Sequence, residues 1–273
     1  MLALLALGSS VVWGTSDFIA GLKTRTLPAA AVVGWSQAIA VVVLTVVVAV
    51  TGGWHFAGWP QWAVLAGLSG TTALVCFYAA LATGTMGVVA PIASLGVVVP
   101  VMLGLLAGEQ PSAVAYVGMG VAVIGILLAS GPELSGAVSA RPLLLAAVAA
   151  LGFGITLFAI DRGARSSLPQ TLWGMRATSV LVFAIAALAL RRTGGVTPRD
   201  LPVLALVGVA DLSANALFAT ASSRGLVSVA SVLGSLYPIM TVLLARIVLH
   251  ERLRPVQVVG VGLSAVGVAL IAA

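Results

Sequence analysis

Residues 109–125 read EQPSAVAYVGMGVAVIG, and residues 251–267 read ERLRPVQVVGVGLSAVG. Both keep the register Glu-x8-Gly-x-Gly-x4-Gly, so that Glu109, Gly118, Gly120 and Gly125 answer to Glu251, Gly260, Gly262 and Gly267. Val114 and Val117 answer to Val256 and Val259 in the same register. Working outward at an offset of about 140 residues, Gly14 and Phe18 fall on Gly154 and Phe158. Phe77, Ala80 and Gly84 fall on Phe218, Ala221 and Gly225, and Ser94-Leu95 falls on Ser235-Leu236. The chain is therefore read as an internal repeat, with units 1–135 and 136–273.

Composition says where those units reside. Of 273 residues, 61% are hydrophobic and only 7% are charged, against about 45–50% and about 25% in soluble domains. Thirteen basic and seven acidic side chains cannot cover the surface of a soluble protein this large. The chain is an all-α integral membrane protein, with the lipid bilayer as its first partner. A lone Cys76 forms no internal bridge, which excludes a disulfide scaffold. The net charge of +6 lies between apolar runs, where it reads as an orientation signal and not as a nucleic-acid footprint.

A hydrocarbon core about 30 Å thick takes roughly 20 residues of helix to cross. On that ruler the sequence predicts ten transmembrane helices, near 1–22, 28–51, 60–83, 86–107, 111–130, 142–161, 169–190, 201–223, 226–248 and 254–272. Apolar runs this long lack the alternating segments of a β-barrel. The first, without a basic leader and running into Trp13-Gly14-Thr15-Ser16-Asp17, reads as a retained helix. Five crossings per repeat is an odd number, so the second five-helix repeat begins on the opposite face and the two are inverted. Secondary transporters use this architecture for alternating access, with substrate near the midplane. Loops after odd-numbered spans carry Lys23, Arg25, Arg141, Arg191, Arg192, Arg199, Arg252 and Arg254; the others carry Arg162, Arg165 and Arg224. That bias places both termini outside.

A charge inside a bilayer costs at least about 2.5 kcal/mol and calls for a reason. Asp211 falls about 15 Å into its span, close to the midplane, with Asn215 one turn on. It reads either as a substrate-amine or proton site, or as one half of a buried ion pair with Arg176. Asp17, nearer the end of its span, reads either as facing a cavity beside Trp13 or as a headgroup-level partner of Lys23 or Arg25. Asp211 and Asp17 are the proton-coupling candidates. Glu109 and Glu251 read as carboxylates at helix N-termini, stabilised by the backbone dipole. Trp54, Trp59 and Trp62 read as an interfacial belt. Trp13, Phe77, Tyr78, Phe153 and Tyr237 fall within spans, where they either line a cavity or pack. Pro91, Pro100 and Pro238 interrupt equivalent spans of the two halves. Broken helices at matching positions point to a transport site, and Ser94 and Ser235 lie beside them. With no phosphate loop, zinc motif, Cys/His cluster or nucleophile elbow, neither catalytic residue, metal nor cofactor is expected.

Trp13-Gly14 in the first span, the Phe77-Tyr78-Ala79-Ala80-Leu81 stretch in the third, and Gly108-Glu109 leading into a Gly-rich helix resemble EamA-type transporters of the drug/metabolite transporter superfamily. The resemblance covers essentially the whole chain. The second half departs at Phe153-Gly154, and at His250-Glu251 where Gly-Glu is usual. The resemblance implies export of amino acids or related metabolites, coupled to protons or running as exchange or facilitated diffusion, across a bacterial inner membrane. It also implies termini in the cytoplasm, against the charge count. A sugar or nucleotide-sugar transporter is the alternative within the superfamily. Outside it stand a lipid-modifying membrane enzyme and a non-transporting subunit. The expected partner is a small-molecule substrate; the sequence leaves the oligomeric state open and is compatible with a monomer.

Overall fold

The computed structural model describes residues 1–51, 54–83, 92–129, 140–191, 194–248 and 254–272. Among them every regular element is helical. They are α1 (Leu2–Lys23), α2 (Ala29–Thr51), α3 (Pro60–Thr83), α4 (Val98–Leu106) entered through a 3-10 turn at Leu95–Val97, and α5 (Ala113–Ala129). The second half holds α6 (Ala140–Leu190), α7 (Leu201–Ser223), α8 (Val227–Gly234), α9 (Tyr237–Val248) and α10 (Pro255–Ala272). Among the described residues five helical runs are long and apolar enough to cross a membrane: Leu2–Lys23, Ala29–Thr51, Ala140–Ala189, Leu201–Ser223 and Val227–Val248. Val42, Val46, Leu144, Leu151, Leu181 and Leu188 face outward, as side chains bathed in lipid do. The protein is a multi-pass membrane protein.

Three helices break where the backbone loses a donor. In α6 the break is at Ser167, whose backbone is extended (φ −160°, ψ 107°), two residues before Pro169. Proline has no N–H to continue the ladder and disfavours the helical conformation just before it. The two arms pack closely, with Gly163 of the first against Thr171 of the second. Pro238 likewise has no N–H for the Gly234 carbonyl, and the chain leaves the helix at Ser235 and Leu236 between α8 and α9. Pro100 follows the 3-10 turn and leaves the Gly96 carbonyl without its usual donor. Pro91 lies outside the described residues.

Glycines set how closely these broken helices meet their neighbours. A side chain on Gly14 of α1 would run into the Tyr237 carbonyl of α9. A side chain on Gly154 of α6 would run into the Gly96 carbonyl in the same way. The Gly-rich registers of α5 and α10 also face one another. A Cβ on Gly118 would stand 2.9 Å from the Gly267 carbonyl, and one on Gly125 would stand 2.8 Å from the Gly260 carbonyl. Backbones this close gain dispersion along their length, which is how helices associate where no water drives them together.

Trp59 departs from the interfacial-belt reading. It is buried under Gly174, and its indole N–H donates to the His55 carbonyl at 2.6 Å. Trp54, half-exposed and edge-on to Trp173, keeps a belt-like position, while Trp62 packs inward on Phe158.

Candidate functional site

A central cavity draws its walls from α1, α2, α3, both arms of α6, α7 and the two broken segments 92–97 and 234–237. Ten of the residues singled out in the sequence line it: Trp13, Asp17, Phe77, Ser94, Phe153, Arg176, Asp211, Asn215, Ser235 and Tyr237. Tyr78 lies on α3, but its side chain is outside the described residues.

Asp211 has a partner at each carboxylate oxygen. Arg176 Nη2 stands 2.7 Å from its Oδ2, close enough for an ion pair though off the line of a hydrogen bond. The Trp13 indole N–H donates to Oδ1 at 3.1 Å, and Asn215 Nδ2 donates to the same oxygen at 3.1 Å. Asn215 reaches it because residues four apart share a helix face, and the same amide donates to the Asp211 carbonyl at 2.7 Å. Arg176 is 3% exposed and gives Nη1 to Gln37 Oε1 at 2.5 Å. The ion-pair reading of Asp211 and Arg176 is the geometry found.

Asp17 differs. It is half-buried on the cavity wall, within Coulombic range of Asp211 and Tyr237. Among the described residues no donor is hydrogen-bonded to its carboxylate. Of its two headgroup-level partners, Lys23 pairs instead with Asp200 at 2.5 Å, and Arg25 is exposed. Among the described residues the cavity is lined by two carboxyl groups, Asp17 and Asp211, and one guanidinium, that of Arg176.

Around these charges the wall is apolar and aromatic. Trp13 tilts against Phe218 at 5.8 Å between ring centroids, and Phe77 meets Phe153 edge-on at 5.8 Å. Thr71 is 6% exposed on the same wall, and its hydroxyl has no partner among the described residues. An unpaired hydroxyl beside a cavity is available to a ligand.

Sequence reasoning missed Gln37 and Thr71, which carry no pattern that separates them from ordinary helix polars. It also missed Asp161, fully buried and held by Arg165 through Nε and Nη2 at 3.1 Å each. The spacing of four between those two was the available signal. Glu109 does stand at a helix N-terminus, but at that of α8 and not of the helix that follows it in sequence. His250 and Glu251 lie outside the described residues. No three His, Cys, Asp or Glu gather as a metal site would need among the described residues.

The model of the EamA-like transporter family matches this sequence twice, over residues 1–131 and 140–273. A crystal structure of a protein 18% identical in sequence superposes with a TM-score of 0.80, covering 98% of this chain and 95% of that one. That likeness shows a shared fold. No curated protein matches the sequence.

Proposed function

Since the chain belongs to the EamA-like transporter family, we propose that it is a secondary transporter of small metabolites, amino acids first among them, working by alternating access in a bacterial inner membrane. In this reading the chain crosses the bilayer ten times, in two inverted five-helix repeats over 1–135 and 136–273. The two arms of α6 count as separate crossings, since fifty residues of helix would span about 75 Å. The matched packing of Gly14 on the 237 carbonyl and Gly154 on the 96 carbonyl supports that division. Each half then presents its broken helix to the other half's first helix, with substrate between them.

One observation carries the substrate class: Asp17 faces the cavity with no hydrogen-bond donor among the described residues, while Asp211 is fully engaged. An ionised carboxylate in a low-dielectric setting is costly unless paired. Asp17 therefore takes a cation from the cavity, either the ammonium of an amino acid or a proton in its absence. Thr71 and Ser235 offer neutral polar groups to the rest of the substrate head. Trp13, Phe77 and Phe153 offer an apolar wall to its side chain.

The test is flux of a panel of radiolabelled amino acids into proteoliposomes, with and without an imposed pH gradient. Accumulation driven by the gradient supports proton coupling at Asp17. Uptake that equilibrates without a gradient supports facilitated diffusion. Silence across the amino acids with flux of a neutral sugar overturns the amine reading.

A further inference from the structure

The short turn between α7 and α8 is gripped by opposite charges from two sides. On one side Arg165 Nη2 donates to the Ser222 carbonyl at 3.3 Å, at the negative end of α7. On the other, Glu109 Oε1 accepts the Val227 N–H at 2.6 Å and Oε2 accepts the Ser228 N–H at 3.0 Å, at the positive end of α8. Each charge has the sign that its helix end attracts, and hydrogen bonds to an ionised carboxylate are the strong kind.

The chain is shaped to deliver Glu109 there. Gly108 adopts φ +92°, which turns the chain back at the end of α4, and the Glu109 N–H donates to the Gly104 carbonyl at 3.0 Å. Gly104 leaves room for the carboxylate, since a Cβ there would stand 2.6 Å from Glu109 Oε2. Arg165 is fixed in turn by Asp161.

The gripped helices lead into the cavity. Asp211 and Asn215 are on α7, and Ser235 follows α8 directly. Ser228 and Ser231, both fully buried on α8, carry hydroxyls without a hydrogen-bond partner among the described residues. Buried hydroxyls without a partner on these residues leave hydrogen-bonding capacity that water, or a second arrangement of α8, would fill. At the opposite end of the bundle Lys23 of α1 pairs with Asp200 just ahead of α7, with 21% and 15% of the side chains exposed.

We propose that Glu109 and the Asp161–Arg165 pair form a two-sided clamp on the α7–α8 turn. The clamp keeps the cavity closed at that end of the molecule, and its release opens it there. The proposal takes from the transporter reading only the idea that the cavity opens at alternate ends.

The test reads sided access and needs no substrate, so it fails separately from the amino-acid reading. In a Cys76→Ser background, Leu74→Cys on the cavity wall is labelled with a membrane-impermeant maleimide in right-side-out and inverted vesicles. Gln110→Cys and Thr26→Cys, each alone, identify which face carries which end. Glu109→Gln is expected to raise labelling of L74C from the Gln110 face about tenfold, equivalent to about 1.4 kcal/mol, and to lower it from the Thr26 face. Arg165 alone is not removed, because Asp161 would be left buried and unpaired. The double variant D161N/R165Q is expected to move labelling in the same direction, and it carries the test should E109Q not fold. Unchanged labelling, labelling no higher than in the background, or an equal rise from both faces overturns the clamp.

Discussion

The Arg176 guanidinium stands 2.7 Å from the Asp211 carboxylate, so the two charges deepest in the wall neutralise one another. Trp13 and Asn215 both donate to the other oxygen of Asp211, while the carboxyl of Asp17, on the same cavity wall, has no hydrogen-bond donor among the described residues. Asp211 is therefore held by its own neighbours, and under the proposed function Asp17 is the carboxyl that meets the substrate.

Removing the wall charge should damage the fold first. D211N leaves Arg176, 3% exposed, as a buried cation without its counter-charge, a situation that costs about 3–5 kcal/mol. The double variant R176Q/D211N should recover most of that loss. Thermal unfolding of the detergent-solubilised protein over the full double-mutant cycle checks both statements; additive effects would remove the coupling.

Asp17 should behave in the opposite way. D17N strands no described partner and removes a carboxyl whose ionised form is costly in a low-dielectric wall, so the variant should unfold at a temperature no lower than wild type. A large destabilisation would show that Asp17 has a structural partner.

The matched glycines should respond alike. G14A and G154A each push a methyl group into a backbone carbonyl of a broken helix, and overpacking of this kind costs about 1–3 kcal/mol. G120A meets nothing within 4 Å and should be silent. Unfolding temperatures of the three variants measure this.

Acid should loosen the Lys23 end. The Lys23 hydrogen bond, then those from the Thr197 hydroxyl and N–H, hold the Asp200 carboxyl well below its ordinary value of 3.8. A carboxyl lowered in the folded state contributes stability that is present above its unfolded pKa and is lost as pH falls through the folded one. The stability difference between wild type and D200N should therefore be constant above about pH 5 and shrink below about pH 4. A difference that grew on acidification would contradict the assignment.

Much of the scaffold was legible in the chain. Gly118, Gly125, Gly260 and Gly267 of the repeated register form the seam between α5 and α10, while Gly120 and Gly262 meet nothing within 4 Å, and the proline breaks at Pro100 and Pro238 fall where helices yield. Both are local signals, set by spacing and by a missing N–H. The site was legible only in its parts. Asp211 and Asn215 share a helix face, so spacing paired them. Trp13 reaches Asp211 from 198 residues away, and Glu109 reaches α8 from 118, separations at which no periodicity operates. Asp17 had two readings because depth along a helix does not say which way its side chain faces. Lys23 settling on Asp200 removed one of them.

The most direct test of the account is amino-acid uptake by proteoliposomes holding either wild type or D17N at equal reconstituted amounts. Wild type is expected to take up at least one amino acid, and D17N to lose that flux by tenfold or more while remaining folded. D17N that transports as wild type does would contradict the assignment of Asp17 as the group that meets the substrate's cation.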